Sequence, residues 1–192
     1  PSHEKARAYG YSLANSVIDA FHAGEFHPSP EPKLNVSALE VELGIENFML
    51  SLGTLLGIID SDPKFNFKPP FIRYLSEVAF IELGDATITG IPGELYPEIA
   101  VGGIENPQGA DYTMAAQEIP HLRSQLPGKL NLMVNLANDA IGYIIPKSEW
   151  DNEAPWIYDE TDETYGEVVS LGPNTGPIIH QNIIKLIEES KD

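Results

Sequence analysis

The chain has 192 residues and no cysteine, with 29 acidic residues against 11 basic ones and a formal net charge of −18. That length supports one domain with a real core, since a folded unit of this size removes roughly 70% of its extended surface from water. Disulfides, thiolate metal sites and a cysteine nucleophile are excluded, the charge argues against a nucleic-acid partner, and no apolar run approaches the roughly 20 residues a bilayer-spanning helix needs.

The chain opens on Pro1 without a methionine and enters a helical pattern almost at once, so we expect it to be part of a longer protein. From Ser2 to Phe21 the apolar positions Ala6, Tyr9, Leu13, Val17 and Phe21 recur every three or four residues, which predicts an amphipathic helix that Gly24 can end. Pro28, Pro30 and Pro32 then predict an extended connector. Leu34 to Leu43 alternates apolar and polar residues as a half-buried strand does. Phe48 to Ile59 is apolar without a clear period, and strand and helix both fit it; Phe65 to Phe71, rich in proline and phenylalanine, reads as loop.

Ser76 to Leu83, the Gly84-Asp85 turn and Ala86 to Ile91 read as a β-hairpin. A helix is expected within Ala110 to Gln125 and a strand over Leu130 to Leu136. An acidic, aromatic loop covers Trp150 to Glu167, and Pro177 to Ser190 reads as a final helix with Ile178, Ile179, Ile183, Ile184 and Ile187 on its inner side. Together these predict an α/β (mixed α+β) fold, a mixed sheet flanked by helices, over a single domain or half-domain of residues 1–192.

Two motifs sit at strand ends. Ile91-Pro92-Gly93-Glu94 places a carboxylate where the backbone turns, beside a glycine that allows close approach; such a carboxylate can bind metal, serve as a base or simply start a helix. Asn138-Asp139-Ala140-Ile141-Gly142-Tyr143 follows a buried strand, where α/β sheets tend to build their sites, although a packed tyrosine after a turn satisfies the pattern equally. The histidines His3, His22, His27, His121 and His180 share no metal-ligand spacing, and His22 and His180 read as surface or packing residues of helices. The acidic group Asp151, Glu153, Asp159, Glu160, Asp162 and Glu163 lacks the spacing of a calcium loop and reads as a solvated segment.

Taken together and in this order, the two motifs resemble the catalytic domain of the neutral and alkaline, non-lysosomal ceramidases. The strand ending in Ile91-Pro92-Gly93-Glu94 is similar to the family's strand that supplies a zinc-binding glutamate. Asn138 to Tyr143, followed by Glu149-Trp150, resembles the segment carrying its asparagine and zinc-binding tyrosine. Tyr165-Gly166-Glu167 ahead of Gly172-Pro173 is similar to the place of a second active-site tyrosine, with Tyr158 as a rival match. The opening helix also resembles one of the family's, so the likeness spans nearly the whole chain.

The resemblance implies that the chain is the C-terminal half of such a domain. It implies zinc as cofactor, held by Glu94, Tyr143 and two histidines lying in an upstream segment or a second chain, with Tyr165 and Asn138 as catalytic residues. The reaction would be hydrolysis of an N-acyl amide of a ceramide-like lipid, in a protein expected outside the cytoplasm or secreted. Leu95-Tyr96-Pro97-Glu98 replaces the paired threonines of long members. Two alternatives stand beside this reading: a non-catalytic binding or assembly module on the same scaffold, and a hydrolase for a different amide or ester. Both are compatible with the absence of histidine ligands from the matched segments.

Overall fold

A computed structural model describes residues 2–24, 33–59, 63–159 and 164–190. The chain divides into two compact units, residues 1–32 and 33–192. The proline connector expected between them falls on residues outside the described set.

The first unit is helix α1, His3–His22, capped by Ser2, whose hydroxyl accepts from the Lys5 amide at 3.2 Å. The predicted apolar positions do share a side, but no residue of α1 is buried.

The second unit is a mixed α/β body, as the sequence predicts. Its main sheet runs in the order β1 (Leu34–Gly44), β3 (Ile72–Leu83), β4 (Ala86–Gly90), β6 (Leu130–Val134), and the short β2 (Lys64–Phe65) also pairs with β3. β1 and β4 both lie antiparallel to β3, whereas β6 is parallel to β4. The expected hairpin is therefore present, with Gly84 at positive φ in its turn. The ambiguous apolar stretch is helical: α2, Phe48–Leu55, starts at Asn47, whose side-chain oxygen caps the amides of Met49 and Leu50.

One face of the sheet is covered by the last helix, α5 (Thr175–Glu189), which packs on β1 and β3. Val41, Leu43, Val78 and Phe80 of the sheet meet Ile179, Ile183 and Ile187 there in one continuous core. Alternation along each strand puts the intervening side chains on the other face. The register aligns them in rows: Leu34, Leu83, Ala86 and Leu130 form one, and Val36, Ile81, Ile88 and Leu132 the next. Leu34, Val36, Leu83, Leu130 and Leu132 of these rows are exposed. The rows end where Glu40 lies opposite Glu77, a like-charge pairing that costs stability when nothing neutralises it.

The stretch expected to hold a helix, Ala110 to Gln125, does not form one. It runs through bends to a 3-10 turn at Leu122–Gln125. Pro120 explains this, because it lacks an amide donor and pushes Ile119 out of helical backbone. Between β4 and this stretch lie β5 (Glu94–Leu95) and helix α3 (Pro97–Val101). After β6 come β7 (Tyr143–Ile144) and helix α4 (Tyr165–Val168).

Candidate functional site

The two sequence motifs meet. β5 and β7 form a separate two-stranded parallel sheet in which Glu94 is paired with Tyr143 and Leu95 with Ile144. Amide bonds close the junction: Glu94 N donates to Gly142 O at 2.9 Å, Tyr96 N to Ile144 O at 3.0 Å, and Ile141 N to Pro92 O at 2.9 Å.

Two glycines make this approach sterically open. A Cβ on Gly93 would stand 2.4 Å from the Gly142 carbonyl oxygen, and one on Gly142 would stand 1.8 Å from that of Val169. Gly142 also has φ +86°, a region closed to most side-chain-bearing residues. A third segment thereby joins the site, with Tyr143 N facing Val169 O at 3.4 Å.

Tyr143 is the centre of an aromatic group. Tyr96 packs edge-to-face against it with centroids 6.0 Å apart, and Tyr165 does the same at 5.9 Å. Tyr165 is itself 72% exposed, so the group opens to solvent on its side. The Glu94 carboxylate lies within hydrogen-bonding reach of the Tyr143 hydroxyl, and its charge raises the phenol's pKa above the ordinary value. The effect is Coulombic: a phenolate beside a carboxylate is disfavoured, so the proton stays on. Tyr96 is pushed up to about 12, by burial first and then by the charges of Glu167, Tyr143, Glu149 and Glu98.

The segment carrying Tyr165 is joined to the start of α2 by one side chain. Asn47 Nδ2 donates to the carbonyls of Val168 and Ser170 at 3.0 and 3.1 Å, and more weakly to that of Glu167 at 3.4 Å. The same residue caps α2, so the start of that helix and the Tyr165 loop are fixed together. Glu167 is buried, accepts from the Asp151 amide at 3.2 Å and receives the Thr164 hydroxyl.

Of the residues singled out in the sequence, Glu94, Tyr143 and Tyr165 come together. Tyr158, the rival to Tyr165, donates instead to Glu105 Oε2 at 2.6 Å. Asn138 holds a left-handed backbone, φ 71°, and donates to Glu77 Oε1 at 2.9 Å, at the acidic end of the sheet rows. His180 is buried in α5 with Nε2 2.8 Å from Pro120 O, a packing role, and His22 is an exposed residue in the last turn of α1. Asp151, read as part of a solvated acidic segment, is fully buried, and its Oδ2 accepts from Ile157 N at 2.9 Å. Residues 160–163 of that segment lie outside the described set.

Sequence reasoning missed Tyr96 as a member of the group. The signal was present, since Glu94 and Tyr96 flank the buried Leu95 and residues two apart in a strand share a side.

Glu94 and Tyr143 present a carboxylate and a phenol side by side, two oxygen donors of a kind that suits a borderline cation. A tetrahedral cation needs four donors, twice what this pair offers. Among the described residues no three His, Cys, Asp or Glu side chains converge as metal ligands. No family model matches the chain, and no curated protein matches it.

Proposed function

We propose that the protein hydrolyses an N-acyl amide, a ceramide-like lipid, with Glu94 and Tyr143 as two of four zinc ligands and histidines from outside this chain as the other two. The observation that carries this reading is the register pairing of Glu94 with Tyr143 across β5 and β7. It joins the two motifs whose resemblance to the ceramidases suggested the chemistry. The donor set fits a zinc ion as half of its shell. When bound, such an ion supplies a polarised carbonyl and a water of lowered pKa.

The chain's own residues have defined tasks in this reading. Glu94 would hold the cation through its carboxylate, and Tyr143 would hold it through the phenolic oxygen in place of its proton. Tyr165 stands at the open side of the group with its hydroxyl available to hydrogen-bond substrate. Asn138, the second catalytic residue that the resemblance implies, lies on the turn between β6 and β7 and donates to Glu77. Gly93 and Gly142 keep the two ligand strands within backbone hydrogen-bonding distance.

The exposed rows of the main sheet support the expectation that more protein belongs here. A parallel strand pair such as β4 and β6 is ordinarily covered on both faces, and a second layer would also bring the missing ligands. The same observation favours a second reading, in which the chain is a binding or assembly module without chemistry.

Metal analysis separates the two. The complete protein should hold zinc and cleave an N-acylsphingosine, and Glu94→Gln or Tyr143→Phe should each lower both at least tenfold. Residues 1–192 alone should bind zinc weakly and turn over nothing, because two ligands make an incomplete site. Zinc content and hydrolysis unchanged by Glu94→Gln would end the metalloenzyme reading.

A further inference from the structure

Exposed phenylalanine is concentrated in one region. The connection from β2 into β3 carries Phe65, Phe67 and Phe71, all exposed, and Phe67 is 101% exposed. Nearby, α2 begins with exposed Phe48 and Met49 and ends at exposed Leu55 and Leu56. The C-terminal end of α2 joins this loop, since Leu55 lines the same cavity of about 780 Å³ as Phe65, Pro70 and Phe71, whereas Phe48 and Met49 border another with Asp111, Glu153 and Glu167.

The charge of this region departs from that of the chain. From Lys64 to Ser76 the sequence has three basic residues and no acidic one, in a protein of net charge −18, while Glu46 borders the cavity. Lys64 and Lys68 bracket the exposed pair in the run Lys64-Phe65-Asn66-Phe67-Lys68, whereas Arg73 is engaged with Glu42 at 3.2 Å. Lysine beside aromatic residues at a protruding tip is the pattern of an interfacial membrane anchor, with rings at the headgroup boundary and ammonium groups at the phosphates.

We infer that the Phe65–Phe71 loop and the C-terminal end of α2 dock the protein on the surface of a zwitterionic bilayer. Phe67 stands wholly in solvent between Lys64 and Lys68, which suits a ring entering the acyl boundary while ammonium groups meet the phosphates. The apolar sheet rows are a contrasting surface, flat and ending in the Glu40 and Glu77 carboxylates, which suits packing by a protein layer. The overall negative charge disfavours an anionic leaflet. Apolar insertion therefore drives the binding, with the two lysines orienting it. This inference stands independently of the zinc reading.

Co-sedimentation with sucrose-loaded phosphatidylcholine vesicles tests it. The protein should pellet with the vesicles, and added salt should not release it. The double variant Phe65→Ser with Phe67→Ser should lower the partition coefficient at least tenfold, and Lys64→Glu with Lys68→Glu at least threefold. Ile119→Ser, exposed but off the patch, should leave it unchanged. Phe67→Trp should show a blue-shifted emission on vesicle addition even if the double variant folds poorly. Protein remaining in the supernatant, no shift from Phe67→Trp, or equal losses from Ile119→Ser would overturn the inference. So would phenylalanine variants that only convert a dimer to a monomer in sedimentation velocity, since the patch would then hold a second copy.

Discussion

Glu94 and Tyr143, 49 positions apart in the sequence, are register partners across two parallel strands of only two residues each. Strands so short have little cohesion of their own, and what holds the pair is the backbone junction around Gly93, Gly142 and Val169.

Gly142→Ala should therefore be among the most damaging single substitutions in the chain. The added Cβ meets a backbone oxygen that cannot swing aside, at a φ that alanine adopts only under strain. We expect a loss of at least about 3 kcal/mol of stability, read as a lower urea midpoint. Gly57→Ala, also at positive φ but with open space around it, should cost only about 1 to 2 kcal/mol.

Asn47→Ala removes a helix cap and leaves the carbonyls of Val168 and Ser170 without their side-chain donor. The cap contributes about 1 kcal/mol and each lost bond about as much again, so the total cost should be about 2 to 3 kcal/mol. Amide hydrogen exchange should accelerate in Tyr165–Ser170 as well as in α2, because one side chain holds both. Acceleration confined to α2 would show that the bonds at Glu167 and Val169 hold the segment without Asn47.

Acidification from pH 7 to about 5 should stabilise the protein. Burial raises the carboxyl pKa of both Glu149 and Glu167, so the folded state holds their protons more tightly than the unfolded chain does. The stabilisation is fully present below the unfolded value near 4.5 and is lost as pH rises through the folded values. Relief of self-repulsion in a chain of net charge −18 acts in the same direction. Urea midpoints at the two pH values check the sign, and Glu167→Gln should flatten the dependence.

The sheet was largely legible because its strands follow rules that act over a few residues. Leu34 to Leu43 and Ser76 to Ile91 alternate, and Gly84-Asp85 supplies the turn, so β1, β3 and β4 fall close to where the pattern puts them. Ile179, Ile183 and Ile187 likewise mark the inner side of α5. The failure at Ala110 to Gln125 is local as well, since Pro120 outweighs the helix formers before it.

The candidate site was legible in part. Motif order pointed to Glu94, Tyr143 and Tyr165, but no local pattern announces β5 and β7, which exist through contact between distant backbones. The closure of Tyr96 on Tyr143 and the reach of Asn47 to the Tyr165 loop are equally non-local, and only the folded chain displays them.

The junction at Gly142 has a thermodynamic corollary. Strands β5 and β7 and the segment at Val169 are separated by long stretches of chain, so opening at any one of these three disrupts the Glu94–Tyr143 pair. Whatever occupies that pair is coupled to the unfolding of the whole second unit, and at a hundred times its dissociation constant it adds about 2.7 kcal/mol to stability. Amides in β1 and β3, which such a ligand never touches, would gain exchange protection along with those beside it.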